Sequence, residues 1–150
     1  MSRQSYFIIN AILQLSNATK QVMGQRIAYF LGLNPGPRGA DDGIDGSINI
    51  NGVKIQFQSK LRASNLDKDD ARALYADIAY HKPNVVIMLS GVGYKETFTQ
   101  RLFFYDDIKS IKVHLLILRD ILEHTDAFSR ACADLPALRF LDEEIKKEIG

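Results

Sequence analysis

The feature that most constrains this chain is a pair of alternating segments joined by Asn51-Gly52. Ile44, Ile48 and Ile50 are interleaved with Asp45, Ser47 and Asn49 before it; Val53, Ile55 and Phe57 alternate with Lys54, Gln56, Gln58 and Lys60 after it. A period of two is that of a strand with one buried face. Asn-Gly supplies the positive φ that a type I′ turn needs at both central positions, so the segments read as a hairpin closed by two residues. Closure there fixes the register: Ile50 faces Val53, Ile48 faces Ile55, Ser47 faces Gln56 and Asp45 faces Gln58. The apolar face of Ile48, Ile50, Val53, Ile55 and Phe57 is expected to pack on a helix. The other face carries Asp45, Gln58 and, diagonal to Asp45, Lys60.

The rest of the chain supplies the layers around that hairpin. Phe7, Ile8, Ile12 and Leu15, then Val22, Met23, Ile27, Phe30 and Leu31, recur at helical spacing, which reads as two helices or one bent helix. Ser16, Asn17 or Thr19 can cap the second stretch, and Gly32 with Asn34-Pro35-Gly36-Pro37 stops it. Residues 33–43 read as a loop. An amphipathic helix is expected near Leu66 to Tyr80, with Asp67, Asp69 and Asp70 at its positive end. The uninterrupted apolar runs 85–89 and 113–118 read as strands buried on both faces, and helices are expected at 120–132 and 138–148. Strands alternating with helices place the chain in the α/β or α+β class.

With 150 residues, 46% hydrophobic and 25% charged, the expectation is a single domain spanning 1–150 with a packed core. No apolar run reaches the roughly 18 residues of a membrane span, and the Met1-Ser2-Arg3-Gln4-Ser5 start lacks a signal-peptide pattern, so a cytoplasmic protein is expected. Net charge is +1 overall. Residues 1–65 carry seven Lys/Arg against three Asp and no Glu, because all five Glu lie after residue 95. Whole-chain charge gives no case for nucleic acid, so local placement has to make it.

A carboxylate and a neutral amide oxygen within roughly 4.5–5.5 Å of Cβ separation form a hard oxygen cluster suited to Mg²⁺. A nearby ammonium can orient or deprotonate an attacking water. The bland alternative is a solvated polar face with an Asp45–Lys60 ion pair worth at most about 1 kcal/mol.

Gly39-Ala40-Asp41-Asp42-Gly43-Ile44-Asp45-Gly46, the hairpin, and Ile55-Gln56-Phe57-Gln58-Ser59-Lys60 resemble the PD-(D/E)XK nucleases, in branches where glutamine replaces the second acid. The resemblance covers residues 18–90 in the order helix, loop, motif hairpin, helix, strand. It implies a restriction-endonuclease-like core: a central mixed sheet with a motif-bearing hairpin, flanked by helices. Residues 91–150 become an extension for DNA contact or oligomerisation. The resemblance makes Asp45, Gln58 and Lys60 catalytic, with Asp45, Gln58 and the backbone carbonyl of Ser59 holding one or two Mg²⁺. Many members place a glutamate on the first helix; this chain has none there, which leaves Gln21 or Gln25 as neutral ligands on one helical face, with Asp41 or Asp42 able to assist. The small size looks most like the intron-encoded homing endonuclease branch known in cyanobacteria. A restriction endonuclease or Mrr-like subunit, a catalytically inactive DNA-binding relative and a Holliday-junction nuclease are the rivals. Cutting both strands implies double-stranded DNA as partner and a homo-oligomer, dimer or tetramer.

Arg38, Ser47, Asn49, Lys54, Gln56 and Arg62 are candidate DNA contacts, since long polar side chains on a β-ribbon read base edges in a major groove. Gly36-Pro37-Arg38-Gly39 lacks the lysine and hydroxyl of a Walker loop. Lys95, Arg101, Lys109 and Lys112 surround Phe98, Phe103, Phe104 and Tyr105, either as a basic aromatic surface or as a core helix edged by lysines. His81, His114, His124 and the single Cys132 lack metal-ligand spacing and read as structural.

Overall fold

The computed structural model describes residues 1–36 and 43–136. Arg38, Asp41 and Asp42, and the helix expected at 138–148, lie outside them. The chain is α/β: a five-stranded mixed sheet, ordered β1 to β5 as in the sequence, with helices on both faces. Helices α1 (Arg3–Leu13) and α2 (Asn17–Phe30) are separate, each started by a serine side chain: Ser2 accepts from Ser5 N–H and Ser16 from Thr19 N–H. The segment expected as loop contributes a two-residue strand, β1 (Asn34–Pro35), which pairs with β2 (Gly46–Ile50).

The hairpin of β2 and β3 (Val53–Lys60) has the register the turn dictates, from Ile50 opposite Val53 to Gly46 opposite Phe57. Asn51 and Gly52 both take positive φ, 53° and 79°. β3 then runs parallel to β4 (Val85–Ser90), and β4 parallel to β5 (Lys112–Ile117). Between β3 and β4 lies α3 (Lys68–His81), entered through a capping box of Asp67 and Asp70 and ended by Lys82 in the left-handed conformation.

Alternate residues of β4 divide the core. Val85, Ile87 and Leu89 join Ile55, Phe57, Ala28, Leu31 and Leu33 on the α2 side, while Val86 and Met88 join Leu74, Ile78, Phe98 and Leu102 on the α3 side. β4 is buried along its whole length, as its unbroken apolar run requires. β5 departs from the same expectation: it is the edge of the described sheet and only half-buried, and Leu118 already begins α5 (Leu118–Glu123). The helix expected at 120–132 is broken where His124 turns left-handed (φ 50°) and Thr125 caps α6 (Asp126–Ala133). His124 therefore terminates one helix instead of lying within one.

The aromatic segment resolves as a helix with one buried edge. In α4 (Glu96–Phe104), Phe98 and Leu102 are fully buried, while Phe103 and Phe104 face outward. A 3-10 turn at Asp106–Ser110 leads on to β5. Among the described residues, no helix is long and apolar enough to cross a membrane.

Candidate functional site

A cleft of about 280 Å³ opens where β3 ends, lined by side chains that include Lys20, Gln21, Asp45, Ser59, Lys60 and Arg62. This is the edge of the sheet at the carboxyl ends of its parallel strands, where open α/β sheets present their sites. Asp45 reaches it from the other side of the hairpin, one residue before β2; its N–H donates to the carbonyl of Phe57, which already pairs with Gly46, so Asp45 stands one residue out of the hairpin register and not opposite Gln58 as expected.

The Asp45 carboxylate is buried, and Ser59 donates to its Oδ2 twice, from N–H at 2.6 Å and Oγ at 2.7 Å. Burial raises its pKa above the ordinary aspartate value, outweighing the two Ser59 bonds that lower it. Helix α2 lies directly against it. A Cβ on Gly24 would come 2.5 Å from Ser59 Oγ and 3.0 Å from Asp45 Cγ, so only glycine allows this approach. Gly24 is a site residue that the hairpin pattern does not reveal; its one signal is a glycine in mid-helix.

Lys60, side chain 31% exposed, stands 3.7 Å from Asp70 Oδ1 instead of pairing with Asp45. Asp70, buried on α3, also accepts from Arg62 at both carboxylate oxygens, at 2.9 and 3.1 Å, and from Asp67 N–H at 2.9 Å. Gln58 likewise turns to α3: its Nε2 donates to Asp77 Oδ2 at 3.0 Å. Cross-strand opposition alone would aim the Asp45 and Gln58 side chains at a common point. At the strand end the Asp45 carboxylate swings to Ser59 and Gly24, while Gln58 is held under Gly43, whose added Cβ would stand 3.1 Å from Asp77 Oδ2 and 3.7 Å from Gln58 Oε1. Asp70 and Asp77 were legible in principle: they lie seven apart, two helical turns, flanking Leu74 on the buried side of α3.

The two helix glutamines separate. Gln21 lines the cleft, whereas Gln25 is buried and its Nε2 donates to the Gly36 carbonyl at 3.1 Å, just past β1. Lys20 and Asn17, from the first turn of α2, join the cleft without having been marked by the motif.

The DNA-contact set also divides. Gln56 is fully buried beneath α3, because both faces of β3 are covered, so it cannot touch a base; this corrects the reading of that face as solvated. Lys54 lies six residues, about 20 Å, from Lys60. Its Nζ donates to the His81 carbonyl at 2.7 Å, closing the end of α3. Half-buried Ser47 and exposed Asn49 run away from the cleft along β2, and Arg62 alone of the described candidates lines it.

Two oxygens at the cleft are available to a hard cation, the Asp45 carboxylate and the Ser59 main-chain carbonyl; Gln58, fastened to Asp77, does not line it. The Ser59 N–H points to Asp45, so its carbonyl faces the same edge of β3. Among the described residues no three His, Cys, Asp or Glu side chains converge. One carboxylate with a neutral carbonyl fits a single Mg²⁺ that keeps most of its waters. No protein-family description, curated protein or solved structure matches the chain, so the chemistry of the site rests on its own residues.

Proposed function

We propose that the chain is a Mg²⁺-dependent DNA endonuclease with a restriction-endonuclease-like core, acting in intron homing as a site-specific double-strand cutter. The observation that carries this reading is the meeting of buried Asp45, Ser59 and Lys60 in one cleft at the carboxyl end of β3, with Lys20 and Arg62 at its walls. A buried carboxylate that burial penalises is better explained by a cation than by stability.

Asp45 and the Ser59 carbonyl would hold the cation, with Gln58 joining them by turning in from its contact with Asp77. Bound there, Mg²⁺ supplies charge neutralisation at the scissile phosphate and acidifies a water. Ser59, through N–H and Oγ, keeps the Asp45 carboxylate in one orientation. Lys60 Nζ orients the water that attacks phosphorus in line, and Lys20 and Arg62 take up flanking phosphates. Each chain has one such site, so a symmetric homo-oligomer cuts both strands.

A second reading is a nuclease fold retained for DNA binding without catalysis. Two contacts favour it: Lys60 leans on Asp70 and Gln58 on Asp77. Incubating supercoiled and linear DNA with the protein, in Mg²⁺ and in chelator, separates the two. Metal-dependent nicking or linearisation supports the enzyme; retention of DNA without cleavage supports the binding protein.

A further inference from the structure

We infer that Asp70 is a positioning residue of the cleft: held by Arg62, it draws the Lys60 ammonium away from Asp45 and so leaves the Asp45 carboxylate open to a cation. The inference rests on the metal-dependent reading above.

Asp45 and Lys60 both line the cleft, and each is the other's simplest partner. A buried carboxylate is stabilised by whatever cation reaches it, and a lysine on its four-carbon stem can get there without any metal. An Asp45–Lys60 ion pair would occupy the metal ligand and tie up the ammonium at once. The structure keeps the two apart. Ser59 and Lys60 are neighbours on β3, so their side chains leave opposite faces of the strand. Asp45 is fastened on the first side, by the Ser59 N–H and hydroxyl and close against Gly24 of α2. Lys60 leans to the second, where Nζ stands 3.7 Å from Asp70 Oδ1. Among the described residues no other carboxylate lies within ion-pair distance of Lys60.

Asp70 is built to hold this place. It is 6% exposed, and both of its oxygens accept from Arg62, so it stays behind the wall of the cleft that Lys60 and Arg62 form. The start of α3 does not need this charge, because Asp67 accepts from the N–H groups of Asp69 and Asp70 and caps the helix itself. A separation of 3.7 Å is too long for a hydrogen bond. Asp70 therefore attracts Lys60 without locking it, and the ammonium can still turn to a water or a phosphate oxygen.

Mn²⁺ binding, read by the loss of free-ion paramagnetic resonance signal, tests the inference; cleavage is not the readout, because Lys60→Met is expected to lose it. Asp70→Asn removes the charge and keeps an acceptor for Arg62 and Asp67. With Lys60 released toward Asp45, it should bind Mn²⁺ at least about tenfold more weakly than wild type. In Lys60→Met there is no ammonium to release, so adding Asp70→Asn should change affinity less than about threefold. Equal losses in the two backgrounds would make Asp70 a distant charge or a support of the fold and overturn the inference, as would wild-type binding by Asp70→Asn. Thermal melts show which variants are folded, and Lys60→Met alone remains decisive if the Asp70 variants do not fold. It should bind Mn²⁺ within about threefold of wild type, since Lys60 is already held off; tighter binding by about tenfold would show that Lys60 competes for Asp45, and the inference would fall. Asp45→Asn separates the two levels. If it abolishes binding while Lys60 and Asp70 show no coupling, the inference alone fails; if Asp45→Asn binds Mn²⁺ as wild type does, the metal site itself is wrong.

Discussion

The two faces of β3 are covered almost equally and built oppositely. Toward α2 stand Ile55 and Phe57, 3% and 0% exposed; toward α3 stand Gln56 and Gln58, 0% and 2% exposed. The first face gains from every methylene it hides. The second has to find a partner for each polar group or lose stability. Gln58 and Lys60 find carboxylates on α3 and Lys54 a carbonyl, whereas both amide atoms of Gln56 are buried without a hydrogen bond among the described residues. Apolar residues would hold α3 at least as well. Polar residues kept there, on the strand that ends in the cleft, point to a use beyond holding the sheet together.

Substitutions on the two faces should therefore move stability in opposite directions. Phe57→Ala opens a cavity in the α2-side core and should cost about 3–5 kcal/mol, measured by denaturant unfolding. A cost below about 1 kcal/mol would mean that this face is not the main support. Gly24→Ala tests where the apolar face hands over to the site. Its Cβ has no room beside Ser59 and Asp45, so a loss of about 1–3 kcal/mol is expected, together with loss of metal-dependent cleavage. Full activity in that variant would show that α2 does not seat the carboxylate.

On the polar face the sign reverses. Gln56→Leu replaces an amide with no partner by a side chain of similar size, and should raise stability by about 1 kcal/mol. Destabilisation would reveal a bond that the polar face does make.

The smallest effect belongs to a partly exposed polar contact at β5, where Lys112 and His114 meet Asp134 at 2.9 and 2.6 Å. The Lys112 bond, then the His114 bond, lower the Asp134 pKa below the ordinary aspartate value. Because the folded value is depressed, its contribution is full above the unfolded pKa of about 3.9 and disappears as pH falls through the folded value. Wild type and Asp134→Asn should thus differ in stability by under about 1 kcal/mol at pH 7 and converge near pH 2. A difference that persists in acid would assign the effect to packing.

The hairpin was legible in the sequence because Asn51-Gly52 fixes register by backbone chemistry, and β4 because an apolar run of that length has few other places to go. The faces of β3 were not. Alternation tells that Gln56 and Gln58 share a side; it does not tell whether a helix covers that side, which depends on where α3, later in the chain, crosses the sheet. The same gap hid the partner of Gln58, since α3 must cross the sheet to bring Asp77 to it. Gly24 was hidden differently, since a glycine in a helix marks a close approach without naming what approaches. Asp45 and Lys60 were marked by type and spacing, but their partners were not: Ser59 follows from the one-residue slip at Asp45, and Asp70 from where α3 lies on the sheet.

The most direct test of the account is cleavage of supercoiled and linear DNA by wild type, Asp45→Asn and Lys60→Ala, in Mg²⁺ and in chelator. The account predicts cleavage by wild type in Mg²⁺ alone and a loss of at least about 10²-fold in each variant, with thermal stability and DNA retention kept. Undiminished cutting by either variant, or by wild type in chelator, would contradict it.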